Sequence, residues 1–228
     1  MKINFAKYKK SILLARQNNP KSTYTQIVFE KFNKKAKSKF DSLRSLILKD
    51  STFLEPEDLY MCSLLPIKIL DHVTKEFHPK SILDVGCGTG VSLEYFLQHN
   101  IDATGVENSR LAIKKSDVSE KIIRHNLKKE LNLNKKFDLV WSFEVIEHIH
   151  PQFERIFLNT LIRHSDRIII SAAKPGQGGH GHFNEQLPEY WIQRFSDLKF
   201  HLNAPMTESL RNINEMHAEN LLVFEKEV

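Results

Sequence analysis

The sequence predicts an α/β fold: a doubly wound, mostly parallel sheet of seven strands, preceded by a helical extension at the N-terminus. From Pro79 onward, short apolar runs alternate with amphipathic segments of helical length, which is the pattern of repeated strand–helix–strand units. A glycine-rich turn directly follows the first apolar run. In this architecture the carboxyl end of the first strand is a ligand-binding position.

The elements follow one another in a regular order. The apolar runs predict strands at Ser81–Val85, Ile101–Val106, Ile122–His125, Phe137–Phe143, Arg167–Ala172, Lys199–Leu202 and Leu221–Glu225. The segments between most of them are amphipathic, which favours helices that pack one face against the sheet. These helices are expected at Val91–His99, Arg110–Ser116, Gln152–His164 and Leu187–Phe195. Right-handed crossovers then place helices on both faces of the sheet.

The first 50 residues differ from the rest of the chain in charge. They contain 13 Lys or Arg and 3 Asp or Glu, whereas residues 51–228 contain 20 and 25. From Thr25 to about Lys49, apolar residues recur at spacings of three and four, which predicts a helix with one apolar stripe and lysines on its other faces. We expect residues 1–59 to form a basic helical extension or cap and residues 60–228 to form the main domain. The cationic face is either a solvated surface or one that attracts a polyanion such as RNA.

The overall composition excludes several classes of protein. The chain has 228 residues, of which 41% are hydrophobic and 27% charged, as in an ordinary globular protein. Two cysteines are too few for a disulfide framework or a thiolate metal site. No apolar run approaches the roughly 18 residues of a membrane span, and the N-terminus lacks the apolar stretch of a signal peptide. We expect a cytoplasmic protein with no membrane partner.

Two features at the ends of the first strands indicate a nucleoside ligand. The first strand and the turn after it read SILDVGCGTG over residues 81–90. The glycines of the turn allow a ligand to approach the backbone closely. The dinucleotide fingerprint needs a small residue where this chain has Val91, so nicotinamide and flavin dinucleotides are disfavoured. Glu107 stands at the tip of the second strand, where a carboxylate can accept hydrogen bonds from both hydroxyls of a ribose.

The motifs DVGCGTG, GVE and FDLVWSFEVIEHI resemble those of class I S-adenosylmethionine (SAM)-dependent methyltransferases, over roughly residues 60–228. The resemblance implies a Rossmann-like methyltransferase fold, SAM as the cofactor and S-adenosylhomocysteine as the product. The residues that it places around the methionine part of SAM are Asp84, Gly86, Cys87, Gly88 and Gly90. It places Glu107 at the ribose, Asn108 beside the adenine, Asn126 and Leu127 near the adenine amine, and Phe143 and Glu144 against the sulfonium.

The segment after the fourth strand reads EVIEHIHP. If a helical turn begins at Glu144, then Glu144, Glu147 and His148 share one face. Such a group can act as a general base, with His148 or a carboxylate accepting the proton of a hydroxyl. Alternatively it can bind a divalent cation that orients the hydroxyl and lowers its pKa. This stretch is similar to those of the small-RNA 2′-O-methyltransferases and the ubiquinone-biosynthesis O-methyltransferases.

The loop at 174–184 carries half of the glycines and two histidines, His180 and His182. Its position after the fifth strand suits contact with substrate or closure as a lid. In the RNA enzymes a further histidine from beyond the fifth strand completes the metal site. The predicted catalytic residues are Glu144, Glu147, His148 and His182, and the alternative metal site adds His180 to the same four. The favoured interpretation uses no metal, because the connecting segment is shorter than in the RNA family and lacks its downstream pattern.

Three functions remain open from the sequence. The favoured one is O-methylation of a small molecule or of a sugar or glycan hydroxyl, since no NPPY-type tetrad follows the fourth strand and neither cysteine has the Pro-Cys context of covalent attack on pyrimidines. The second is metal-assisted 2′-O-methylation of RNA, which would bind through the basic residues 1–50. The third is a non-catalytic nucleic-acid-binding or interaction protein that retains the fold.

Overall fold

The computed structural model describes residues 65–179 and 181–227. The predicted basic extension (residues 1–59) and His180 therefore lie outside the described residues. The strands of the described part are β1 (Ser81–Val85), β2 (Asp102–Glu107), β3 (Ile122–Arg124), β4 (Leu139–Ser142), β5 (Arg167–Ser171), β6 (Phe200–Leu202) and β7 (Leu221–Lys226). Its α-helices are α1 (Ile67–Phe77), α2 (Val91–Gln98), α3 (Arg110–Lys115), α4 (Glu154–His164), α5 (Pro188–Ser196) and α6 (Ala204–Arg211).

The strands form one sheet in the order β3-β2-β1-β4-β5-β7-β6. The strands from β3 to β5 are parallel to one another, whereas β7 runs antiparallel between β5 and β6. The predicted doubly wound, mostly parallel sheet of seven strands is thus confirmed. Because Ser171 at the end of β5 pairs with Leu221 at the start of β7, residues just before β7 lie at the edge where the parallel strands end.

Alternate residues of the central strands pack into two hydrophobic layers, one on each face of the sheet. Val140 and Ile168 pack on one face with Trp191 from α5, while Trp141 and Ile169 pack on the other face with residues of α1 and α2. These side chains are at most 1% exposed, and each contributes roughly 1.5–3 kcal/mol of hydrophobic stabilisation. The two layers make the sheet a rigid support for the loops at its edge.

The predicted elements agree with the structure to within one or two residues at most of their ends. The helix expected from Gln152 begins at Glu154, because Pro151–Phe153 forms a 3₁₀ turn. Helices α1 and α6 were not predicted. For α6 the sequence contains a usable signal, since the Asn203 side chain accepts a hydrogen bond from the Met206 N–H and a proline stands in the first turn, both typical of helix starts. Within the described ranges, no helix has the length and apolarity needed to cross a membrane.

Candidate active site

The glycine turn after β1 depends on backbone conformations that other residues rarely adopt. Gly86, Gly88 and Gly90 have φ values of 83°, 55° and 79°, in the left-handed region that favours glycine. A Cβ on Gly86 would lie 2.6 Å from Cγ2 of Val145, so the loop after β4 is packed directly against this turn. The turn thereby joins the predicted cofactor region to the predicted acceptor region.

Glu107 closes the other side of this turn from the end of β2. Its side chain is 9% exposed. The carboxylate accepts hydrogen bonds from the backbone N–H groups of Gly88 (3.0 Å), Asn108 (2.7 Å) and Ser109 (2.7 Å). Burial raises its pKa, while these three hydrogen bonds act in the opposite direction. A carboxylate offers about four lone-pair positions, and these three hydrogen bonds leave about one of them for a ribose hydroxyl.

Asp84, at the end of β1, is buried and has an unused oxygen. The side chain is 2% exposed, and Oδ2 makes no hydrogen bond to any described residue. Burial, and after it the charge of Glu107, raise the pKa of Asp84 to about 8. Because buried polar atoms are normally hydrogen-bonded, this atom fits a ligand that brings a donor or a positive charge. SAM carries both, so the turn, Asp84 and Glu107 together fit this cofactor.

The other predicted cofactor residues lie near this turn or near the end of β3. The Cys87 thiol packs under the turn, since a Cβ on Gly105 would lie 2.7 Å from its Sγ. His125 donates its N–H to the Glu107 carbonyl, which brings Asn126 to the end of β2. The Leu127 side chain is buried in the hydrophobic core. The contacts of Asn108, Asn126 and Leu127 with adenine stay predictions.

Glu144 does not begin a helical turn, and the prediction that it shares a helical face with Glu147 and His148 is wrong. Its φ is 53°, and its N–H donates to the Ser171 hydroxyl at 2.7 Å. This hydrogen bond joins Glu144, after the end of β4, to the end of β5 while the backbone of Glu144 is left-handed. The 3₁₀ turn that follows spans only Ile146–His148. Phe143, just before it, stacks on Trp141 with ring centroids 5.3 Å apart.

The Glu144 carboxylate is held by residues from the other end of the chain. Asn220 Nδ2 donates to Oε1 at 3.1 Å, and Nδ1 of His217 lies 3.2 Å from Oε2. Gln177, from the glycine-rich loop, donates to Oε2 at 3.4 Å. None of these three partners was predicted, because their local sequence carries no information about the adjacency of β5 and β7.

Glu147, His148 and His182 form a cluster whose potential ligand atoms all lie within 4.8 Å of one another. Glu147 is fully buried, and neither of its carboxylate oxygens makes a hydrogen bond of ordinary geometry to the described residues. Burial, and after it the charge of the nearby Glu144, raise the pKa of Glu147 to about 9. The rings of His148 and His182 meet edge to face, with centroids 4.7 Å apart.

Each imidazole of this cluster has its Nδ1 atom held by another group. Nδ1 of His148 is 3.1 Å from the Gly181 carbonyl oxygen, and Nδ1 of His182 is 2.8 Å from Oε1 of Glu185. A carbonyl or carboxylate oxygen only accepts, so in the neutral imidazole Nδ1 carries the proton and Nε2 carries the lone pair. Metal-binding histidines have this arrangement. Glu185 was missed by the sequence analysis, although its spacing of three residues from His182 was a possible signal.

The donor set of this cluster suits a divalent transition metal. Imidazole and carboxylate groups bind zinc, iron, cobalt and manganese, the choice depending on geometry. A buried carboxylate that lacks hydrogen bonds of ordinary geometry is costly, and a cation would compensate for that cost. Glu147, His148 and His182 therefore fit a metal ion, whereas His180 lies outside the described residues.

Residues 60–215 match the family of methyltransferase domains, and the chain belongs to this family. The order of the sheet and the glycine turn with Glu107 agree with the class I SAM-dependent methyltransferases that the sequence motifs resemble. One curated relative is a ubiquinone biosynthesis O-methyltransferase of Coxiella burnetii, 30% identical over 107 residues. That match covers 40% of this chain and 43% of the relative, so the chain spans less than half the length of the curated relative.

Solved structures share the fold at low sequence identity. The methyltransferase domain of a bacterial CtHen1 has a TM-score of 0.52 and 17% identity, covering 71% of this chain and 96% of that one. The 1,6-didemethyltoxoflavin-N1-methyltransferase of Burkholderia thailandensis, solved with its substrate and S-adenosylhomocysteine, has a TM-score of 0.57 and 15% identity. This match covers 82% of this chain and 88% of that one.

Proposed function

We propose that this methyltransferase transfers the methyl group of SAM to a sugar hydroxyl, with the help of a divalent metal held by Glu147, His148 and His182. The observation that carries the proposal is the fully buried Glu147 carboxylate, which makes no ordinary hydrogen bond and faces two histidines with fixed Nδ1 atoms. A general base alone does not account for this arrangement, because a base needs one accepting atom and no second imidazole.

The residues of the chain have separate tasks in this reaction. A divalent metal, when bound, would orient the acceptor hydroxyl and lower its pKa. Gly181 and Glu185 fix the two imidazole rings, so that Nε2 of each is the atom with a lone pair. The glycine turn, Asp84 and Glu107 hold the cofactor at the ends of β1 and β2. Methyl transfer is a direct displacement, so the chief contribution of the protein is alignment.

The proposal is tested first by metal binding, without an acceptor. Titration calorimetry of the metal-free protein with Mn²⁺ should give one site per chain, and Glu147→Gln should abolish it. Glu120→Gln is the matched control, because Glu120 is an exposed glutamate of the 3₁₀ turn Ser119–Lys121. Absence of saturable Mn²⁺ and Zn²⁺ binding in the unchanged protein would remove the metal from the proposal.

The second test measures turnover. The protein is incubated with radiolabelled SAM and a panel of acceptors that contains free sugars, nucleosides and short RNA. Methylation should be lost with a chelator, restored by Mn²⁺ and absent in Glu147→Gln. Turnover that resists the chelator and survives Glu147→Gln would instead support His148 as a metal-free base.

A further inference from the structure

A row of rings leads away from the Glu147 cluster across the surface. Phe183 follows His182 directly, and its N–H donates to the Glu147 carbonyl at 2.9 Å. Its ring centroid is 6.2 Å from that of His150, which in turn is 6.5 Å from that of Phe153. The Lys128 ammonium lies over the Phe153 ring, 5.5 Å from its centroid. We call these four residues, Phe183, His150, Phe153 and Lys128, the aromatic strip.

The outer face of the aromatic strip is accessible. Phe183 is 48% exposed, whereas the large phenylalanines of the core are almost fully buried. His150 is also exposed, and Phe153 is half-buried. An exposed aromatic side chain immediately next to a catalytic cluster is expected where a ligand covers it, because the ring gains from losing water contact.

The strip ends at a cationic part of the molecule. Residues 110–129 contain seven Lys or Arg and two Asp or Glu, and they surround β3 at the edge of the sheet. Exposed members of this group are Arg110, Lys114, Lys115, Lys121, Arg124 and Lys129. Lys128 belongs both to this group and to the aromatic strip, so the rings connect the cationic edge to the Glu147 cluster.

We propose that the aromatic strip binds single-stranded RNA, with bases stacked on Phe183 and His150 and with phosphates near Lys128 and the cationic edge. Rings interleaved with cations are the features that bind single strands without sequence preference, since every base has a π-face. Unpaired bases are required, because the faces of paired bases are covered by their neighbours. The substrate class rests on the proposed function, in that a ribose hydroxyl would then reach the Glu147 cluster.

The test measures binding of a fluorescein-labelled, unstructured 12-nucleotide RNA to the full chain by anisotropy, with a chelator present and SAM absent. Phe183→Ala and Phe183→Leu should weaken binding about 5- to 150-fold, the range for loss of one stacked base. Phe183→Tyr keeps a ring and should bind nearly as the unchanged protein does. Phe183 is exposed, so these variants should retain their melting temperature, which is checked by circular dichroism.

A second pair of variants tests the charge. Lys128→Gln should weaken binding and lower the slope of log affinity against log salt by about 1, as expected for one phosphate contact. Lys80→Gln is the control, because Lys80 is exposed and precedes β1, at the amino ends of the parallel strands and away from the loops that carry the aromatic strip. The proposal is overturned if Phe183→Leu binds like Phe183→Tyr, if Lys80→Gln matches Lys128→Gln, or if duplex RNA binds as tightly as the single strand.

These outcomes are independent of the metal. Glu147→Gln should bind the RNA normally, because the strip is intact in that variant. If RNA binding depends on Phe183 but Mn²⁺ binding is absent, the strip stands and the metal-assisted function fails. If Mn²⁺ binds but Phe183 has no effect on RNA, the metal site stands and the RNA assignment fails.

Discussion

The cofactor half and the acceptor half of the site are built in different ways. In the cofactor half, the glycine turn and Glu107 lie within 24 residues of sequence, and the Glu107 carboxylate bonds to backbone N–H groups of Gly88, Asn108 and Ser109. In the acceptor half, the hydrogen bond of His148 spans 33 residues and that between Asn220 and Glu144 spans 76. The first half is therefore local and the second is assembled by tertiary structure.

Because they are held by different contacts, the two halves should respond separately to substitution. Hydrogen bonds to nearby backbone N–H groups hold the cofactor half, so it should keep its geometry when residues of the loop after β5 are substituted. The acceptor half depends on that loop and on the residues that precede β7. Variants in the acceptor half should alter metal binding while sparing S-adenosylhomocysteine binding, and variants in the cofactor half should do the reverse.

The largest expected effect that tests this separation is that of Glu185→Gln. Glutamine no longer holds Nδ1 of His182 through a charged oxygen, and loss of such an outer partner typically lowers metal affinity about 10- to 100-fold. Calorimetry with Mn²⁺ should show this drop, whereas S-adenosylhomocysteine should bind as before. An equal loss in both affinities would mean that the two halves are not separate.

Gly86→Ala tests the place where the halves touch. The left-handed φ of 83° costs a non-glycine residue about 1–2 kcal/mol, and the new Cβ would lie 2.6 Å from Val145. We expect a lower melting temperature together with weaker binding of both S-adenosylhomocysteine and Mn²⁺. Val145→Ala in the same chain should restore part of the stability, and no restoration would show that the contact is not limiting.

Asp84→Asn tests the electrostatics of the cofactor half. In the free protein, burial raises the pKa of Asp84 to about 8, and a cationic ligand favours the ionised form. SAM affinity should therefore increase as the pH rises from 6 to 8, by at most about tenfold per pH unit for one released proton. Asp84→Asn should bind about tenfold more weakly at pH 8, with no such pH dependence, as measured by calorimetry.

The Asp84 carboxyl also makes the unfolding free energy of the ligand-free protein depend on pH, and its raised pKa sets the direction of that dependence. Its pKa is raised on folding, so the folded state binds more protons than the unfolded state between pH 4 and 8. The free energy of unfolding should then fall as the pH rises through that range. Denaturant titrations of Asp84→Asn should show a smaller fall than the unchanged protein, and an equal fall would contradict the raised pKa.

Ser171→Ala should have the smallest effect. The Ser171 hydroxyl accepts the Glu144 N–H at 2.7 Å, and loss of one hydrogen bond costs about 0.5–1.5 kcal/mol. We expect this decrease in unfolding free energy from denaturant titration, with S-adenosylhomocysteine affinity unchanged. Ser119→Ala, at an exposed serine of a 3₁₀ turn, is the control for substitution alone.

The sheet, the glycine turn and the position of Glu107 could be predicted from the sequence, because each depends on signals that act over a few residues. Apolar periodicity predicts whether a segment is a strand or a helix. Glycines that can be left-handed predict the turn after β1, and Glu107 stands at the end of the next strand. Glu147, His148 and His182 were also readable as candidates from their residue types and positions after β4 and β5.

The contacts that hold these candidate residues could not be predicted, because they come from parts of the chain that only folding brings together. Glu144 lies outside the helical turn because Ser171 on β5 fixes its N–H, and its carboxylate meets His217 and Asn220 because β7 inserts beside β5. Glu185 and the aromatic strip depend on the path of the loop after β5 in the same way. The contacts of Glu144 join residues 27 to 76 positions apart, and local periodicity carries no information about which distant side chains the sheet brings together.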